Sequence, residues 1–536
     1  MLIPEVVRHA SPSELDFFGL DRENRAEVEV VLGELGNELE QDFIDHLEAW
    51  NVTNSVLEAP RPPTEVVEPE EIAWVLRLCY RIEWDGDQDQ AKHWVDYPGQ
   101  SDPDVGVFVR IPYRLHRSLP VVAIGNSGAP LRLGARADFR KLLDKEGVSV
   151  AEAFEQVVQS ISAAGETLAK SKEIGRSVGN VLSPVEGPLG VDEIGDGILQ
   201  FVPDGGSLTG VLRTLQPAID LGGPGHLPLA RHGSSTATLV QHGEAIAALA
   251  QPGSIVLSDD FGENLDPAST KHVASVLRGR AAQAWLATRR APALEAFPLE
   301  SIVRLHVRDG MRQVAQLERP RTKAERVAAR HVALQLLPAV SASTIVLVEG
   351  PHDRAALDAY SARRFAVAGE ESPATYGIRL ADGGAADGSG GTSAVARLSS
   401  LAARLGFHTV AVIDGDRGAP GQEALRAAAE AADRVVRLPD GVAIEKALTH
   451  GIPLAELVDT LELLAETYDL QDLDDLSTLS EPQVAKLAIK VLKKNGGLHA
   501  QFVELLPDGI APQYLEQVVE AVIESGKHEL TGVKQL

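Results

Sequence analysis

From about Ser341 the chain alternates short apolar runs with helical stretches: TIVLVEG, HDRAALDAYSARR, HTVAVIDGD, GQEALRAAAEAADR and VVRLPDG, in that order. An uninterrupted β-branched run has to be covered on both faces, and strands joined through helices pair in parallel. The pattern therefore predicts an α/β domain with a parallel sheet over residues 341–455. In such sheets ligands collect at the carboxyl ends of the strands. Two runs end there in acids: STIVLVEGPHDRAALDAY (343–360) and FHTVAVIDGDRGAPG (407–421).

Glu349 closes the first run, Gly350 and Pro351 turn the chain, and Asp353 opens a helix. Asp414 and Asp416 close the second run. If the strand extends through them, both side chains point the same way, and Gly415 permits a tight bend or the close approach of a ligand. Like charges this near one another repel unless a cation or protons compensate. Glu349, Asp353, Asp414 and Asp416 thus have the layout of a divalent-metal site. Mg²⁺ takes carboxylate, water and phosphate oxygens, and two ions about 4 Å apart activate water and stabilise a leaving oxygen. The competing reading is local, since Asp-Gly-Asp also serves as a plain turn.

Two further segments bear on phosphate. The Gly-rich stretch ADGGAADGSGGTSAV (381–395) offers backbone donors and Ser389 as a cradle, or is a surface loop. The stretch AKLAIKVLKKNGG puts Lys486, Lys490, Lys493 and Lys494 on one broad helix face, a phosphate-contact patch or a solvated basic face.

Composition sets the limits. At 536 residues the chain suits two to four domains. A formal net charge of -27 excludes a uniformly basic nucleic-acid-binding surface but leaves room for a local basic channel. The single cysteine, Cys79, lies in the strand-like run LRLCYRIEW and reads as a core thiol; one cysteine supports neither a disulfide framework nor a cysteine zinc site. No signal peptide is evident, and no stretch reaches the roughly 20 apolar residues that cross a bilayer. The expectation is a cytoplasmic protein without a membrane partner.

The first half reads as strands near 23–35 and 71–85 around a proline-rich turn, a long helical pattern over 135–180, and a helix over 236–250. Buried strands are expected at SIVLSDD (254–260) and QAWLATRR (283–290). Residues 319–340 read as a helical connector charged on one face, and the end of the chain as mostly helical.

VEGPHD (348–353) together with DGD (414–416) resembles the TOPRIM domain of topoisomerases, bacterial primases, recombination proteins and OLD-family nucleases. The resemblance implies that Glu349 serves metal or acid–base chemistry and that Asp414 and Asp416 bind metal. In the OLD-like branch Asp353 and a later glutamate join them. LPDGVAIEKAL supplies Glu445, which as local chemistry is equally a first-turn glutamate favoured by the helix dipole. The same branch carries a late lysine near its metals, followed by a helix resembling GLHAQFVELL. Lys494 is the match, with Lys493 as the alternative register.

SIVLSDDFGENLDP resembles the strand and loop of an ABC-type ATPase as found in OLD proteins. By that resemblance Asp259 sits near Mg-ATP and Asp260 stands where a catalytic glutamate is typical. ARHGSSTATLVQ resembles a degraded ABC signature, with Ser234 and Ser235 capping a helix and meeting a γ-phosphate across a dimer. In LATRRAP, Arg289 stands where histidine is typical. No GxxxxGK[ST] phosphate loop occurs, and IGNSGAP (124–130) lacks its lysine. The chain reads as beginning after the first phosphate-binding unit, with that unit upstream, supplied by a partner chain, or lost. Autonomous ATP hydrolysis is not expected, because β/γ-phosphate binding lacks its main electrostatic support.

The expected architecture is α/β and multidomain. A degenerate or N-terminally incomplete ABC-ATPase-like region (1–310) leads through a helical connector (311–340) to a Rossmann-like TOPRIM domain (341–455) and a helical region (456–536). The expected activity is Mg²⁺- or Mn²⁺-dependent DNA endonuclease or nickase chemistry with two ions, in a homo-oligomer formed through the ATPase-like region. The alternatives are a primase-like nucleotidyltransferase, which would share the metals, and a non-catalytic oligomeric DNA-binding or regulatory scaffold. A topoisomerase fits less well, because no tyrosine has the context of a strand-breakage domain. A role in phage defence follows by family analogy alone.

Overall fold

The computed structural model describes residues 1–58, 72–124, 227–249, 253–308, 310–384, 391–415, 417–470 and 476–536, with a few isolated positions outside these stretches. The chain divides into two compact units, Met1–Thr288 and Arg289–Leu536. The architecture is multidomain, with antiparallel and parallel sheets, intervening helices and a largely helical C-terminal region.

The first unit has an antiparallel sheet around the long strand Ile72–Asp85, which pairs with Ala26–Leu32, Leu47–Asn51 and Gln90–Asp96. Its inward residues, among them Leu76, Leu78 and Val95, bury with Phe43 and Tyr97. Cys79 is buried, as a core thiol should be, and burial pushes it up to about 11. A separate three-stranded parallel sheet runs Gln283–Leu286, Ile255–Ser258, Val121–Ile124, with the helix Ser234–Ala248 packed on it. The helical pattern expected over 135–180 and the segment 125–130 lie almost wholly outside the described residues.

The second unit is built on a five-stranded, all-parallel sheet: β1 (Thr344–Val348), β2 (Ile378–Asp382), β3 (His408–Ile413), β4 (Arg434–Arg437) and β5 (Gly532–Gln535). The spatial order is β2-β1-β3-β4-β5. Helices α1 (Pro351–Ala368), α2 (Thr392–Arg404) and α3 (Gly418–Ala431) make the crossovers. Every residue of β1 and β3 is buried, and period-two alternation divides them between two cores. Ile345 and Leu347 face α2, α3 and the segment around Leu336, whereas Val346 and Val348 face α1 and the C-terminal helices. These are α4 (Ile444–Thr449), α5 (Leu454–Tyr468), α6 (Glu481–Lys494), α7 (His499–Glu504) and α8 (Gln513–His528).

The stretch expected as a connector belongs to this second core. Helix Lys323–His331 starts on a Thr322–Glu325 capping box and continues through Leu336 and Ala339, which pack with Leu347. Ahead of it, the hairpin Val303–Arg308/Met311–Gln316 is held by the buried Arg304. Its guanidinium donates to the carbonyls of Val340 (3.1 Å), Leu405 (2.9 Å) and Ala342 (2.6 Å) and lies 3.9 Å from the Phe407 ring centre. The end of the chain is helical except for β5, a short edge strand that forms only by pairing with β4. Among the described residues, no helix is long and apolar enough to cross a membrane.

Candidate metal centre

The carboxyl edge of the parallel sheet gathers acids from neighbouring strands. Glu349 leaves β1, Asp382 is the last residue of β2, Asp414 follows β3, and Glu445 lies in the first turn of α4, beyond β4. Register explains the alignment, since Val348 pairs with Asp382 and Leu347 with Ala411.

Glu349 reaches across its neighbour, and its Oε1 accepts the Asp414 amide at 3.0 Å. Its own backbone is wrapped by both ends of the Gly-rich segment. The Gly383 amide donates to the Val348 carbonyl at 2.9 Å and the Gly391 amide to the Glu349 carbonyl at 3.4 Å. A Cβ at Gly383 would stand 2.7 Å from the Glu349 carbonyl oxygen, so only glycine fits. Ser389 lies outside the described residues.

Asp353 sits in the first turn of α1, after Gly350 as N-cap and Pro351 at the first helical position. Its Oδ2 accepts the Gly350 amide at 2.9 Å. Its carboxyl is nevertheless pushed up to about 7. Burial is the first cause; the Gly350 bond opposes it, and the charges of Glu349, Glu445 and Asp382 add to it. Asp353 therefore registers three other carboxylates. A small cavity beneath the row is lined by Val348, Glu349, Asp353, Val412, Asp414 and Ile444.

Strand β3 stops at Ile413 and does not run through the Asp-Gly-Asp segment. The ladder is diverted: the Leu438 amide donates to the Ile413 carbonyl at 3.0 Å, and the Gly415 amide to the Val442 carbonyl at 2.9 Å. Gly415 is needed where this neighbouring loop packs on it, because a Cβ there would collide with the Pro439 carbonyl. Asp416 lies outside the described residues.

Asp382 is a member of the row that the sequence reading passed over. It is 6% exposed. Its Oδ1 accepts from Gln335 Nε2 at 3.2 Å, and Arg354 Nη1 lies 3.4 Å from its Oδ2. Arg354 also pairs with Asp358 at 3.4 Å.

On the other flank, Lys493 Nζ lies 3.9 Å from Glu445 Oε2. Lys493 and Lys494, the two lysine registers, are both exposed in the last turn of α6. The turn after α6 is held against α1 by two stacked rings, His352 and His499, with centroids 5.0 Å apart. Gly496 lies under His352, with room for no Cβ: one would come within 2.5 Å of the imidazole Nε2. His499 is held below its ordinary value, first by burial and then by His352, against the pull of the Gly496 carbonyl and Glu445.

The carboxylates share an edge without converging on one point. Glu349 and Asp353 accept backbone amides, Asp382 faces Arg354 and Glu445 faces Lys493, and among the described residues no three His, Cys, Asp or Glu side chains form a ready metal-holding group. They suit a hard divalent cation by donor type, all oxygen, and Asp353, raised first by burial and further by the neighbouring carboxylates, lies among them.

The candidates of the first unit stand differently. Asp259 and Asp260 follow the strand Ile255–Ser258 and are exposed, and Asp259 Oδ1 accepts the Asp260 amide at 3.1 Å. Ser234 and Ser235 are exposed in the first turn of their helix, but Gly233 is its N-cap, and no side chain caps it. Arg289 is exposed at the start of the second unit. No known protein-family model matches the chain, and no curated protein matches it.

Proposed function

We propose that residues 289–536 form a TOPRIM-type nuclease module that hydrolyses DNA phosphodiester bonds with Mg²⁺ or Mn²⁺, in the manner of OLD-family endonucleases. One observation carries the reading: Asp382, Glu349, Asp414 and Glu445 stand along one edge of a parallel sheet, and Asp353 registers the charge of three of them. Such an edge is where open α/β folds bind ligands.

Glu349, Asp353, Asp414 and Glu445 would hold the metal through oxygens, and Asp416 would add another carboxylate. When bound, two divalent ions would supply an activated water and a counter-charge for the phosphate. The chain's own groups do the positioning. The buried ends of β1 and β3 fix Glu349 and Asp414, the Gly383 and Gly391 amides hold the Glu349 backbone, and Lys493 draws Glu445 toward the end of α6. Lys494, one residue further on, offers a cation to the phosphate. The ABC-like likeness of the first unit supports a homo-oligomer, with no ATP turnover of its own.

The test is cleavage of supercoiled plasmid and single-stranded DNA by the purified full chain with Mg²⁺ or Mn²⁺. Nicking or linearisation is expected with metal and none with EDTA. Glu349→Ala should lower the rate by about 10²-fold or more, since even indirect partners of metal ligands cost 10–100-fold, with melting temperature nearly unchanged. A wild-type chain inert on every DNA with both metals would refute the reading.

A further inference from the structure

We infer that α6 is a track for the backbone of a phosphodiester strand, with Lys486, Lys490 and Lys494 spaced along it. The inference rests on the nuclease reading only for where the strand leads.

The helix dictates the geometry. At 3.6 residues per turn, Lys486, Lys490, Lys493 and Lys494 fall within an arc of roughly 100°. All four are exposed, while Val484, Ala488, Val491 and Leu492 are buried on the other side. From Lys486 to Lys494 the helix rises about 12 Å at 1.5 Å per residue. A strand of a duplex carries a phosphate roughly every 3.4 Å of axis. The stripe therefore spans three or four phosphates.

The chain has 77 acidic against 50 basic residues. Some cations of the second unit are paired, Arg308 with Asp433 and Arg354 with Asp382 among them, and others, such as Arg326, Arg404 and Arg426, form no ion pair among the described residues. Lys486 and Lys490 form no ion pair among the described residues. At the far end of the stripe Lys493 meets Glu445. The stripe thus begins in solvent and ends at the carboxylate row.

A neighbouring helix narrows the path. α5 packs beside α6 and exposes Asp459, Glu462 and Glu466. A polyanion is repelled there and confined to α6. An acidic protein segment would feel the same charges, but the stripe ends at carboxylates poised for phosphodiester chemistry, which favours the strand.

The test measures binding of the full chain to labelled single-stranded DNA and RNA oligonucleotides in Ca²⁺ across a KCl series, by fluorescence anisotropy. The double variant Lys486→Gln/Lys490→Gln should flatten the slope of log K against log[salt] by about 1.4, at about 0.7 per lost single-strand phosphate contact. Lys486→Arg/Lys490→Arg should restore it, and circular dichroism should show all three chains equally folded. The DNA and RNA arms show which strand is preferred. A slope unchanged in the Gln variant overturns the track, as does equal competition by polyglutamate, which would make the face an acidic-protein site. Binding with the expected slope change but no cleavage by wild type would leave the track standing and remove the nuclease reading.

Discussion

Each unit contains a parallel strand that runs into acidic residues, and the two arrive at different chemistry. In the first unit Ile255–Ser258 leads to Asp259 and Asp260, which are exposed, and Asp260 adopts a left-handed φ of 47°. The flanking strands end in Ile124 and Leu286. In the second unit β3 leads to Asp414, which is half-buried and bonded through its amide to Glu349, while β1 leads into Glu349 and β2 ends in Asp382. An acidic strand end is solvated charge until its neighbours also end in carboxylates and burial makes each feel the others. Asp353, raised to about 7, is where that difference is felt.

The comparison can be broken most forcefully at Gly415. If the second strand end is locked by the loop packed on it, Gly415→Ala should destabilise the chain by about 3 kcal/mol or more through overpacking against backbone, read as a lowered urea midpoint. A variant as stable as wild type would mean that the loop is not packed there.

Asp353 sharpens the comparison through pH. Its folded-state value lies above the ordinary aspartate range, so between pH of about 4 and 7 the folded chain holds a proton that the unfolded chain has released. Stability of the metal-free protein should therefore fall as pH rises through this window and level off above it. Asp353→Asn should remove the decline. Mg²⁺ should raise the melting temperature more at pH 8 than at pH 5, because protons and cation compete for the same charge. A melting temperature independent of pH in wild type would contradict the buried-cluster picture.

The smallest effects belong to the first unit. Asp259→Asn and Ser235→Ala alter exposed groups, and each should change stability by less than about 0.5 kcal/mol in thermal melts. A larger loss at either position would show that this strand end is structurally engaged after all.

Much of the second unit was legible in the sequence. TIVLV and HTVAVI are continuous apolar runs that fit only strands covered on both faces, and the acids that close them fall at the sheet edge. Asp382 was not legible, because it stands in a Gly-rich stretch that reads as loop, and only its register opposite Val348 brings it into the row. The packing that requires a glycine at 415 was not legible for a related reason: the Pro439 carbonyl is distant in sequence. β5 was hidden as well, since GVKQ has little strand character apart from its pairing with β4. Local pattern located the strands and their acids, while long-range register determined which acids meet.

The most direct measurement places the two strand ends side by side: plasmid cleavage in Mg²⁺ and in Mn²⁺ by the wild-type chain, Asp414→Ala and Asp259→Ala, with melting curves for each. The account predicts loss of cleavage for Asp414→Ala alone, with all three chains folded. Full cleavage by a folded Asp414→Ala chain would contradict it.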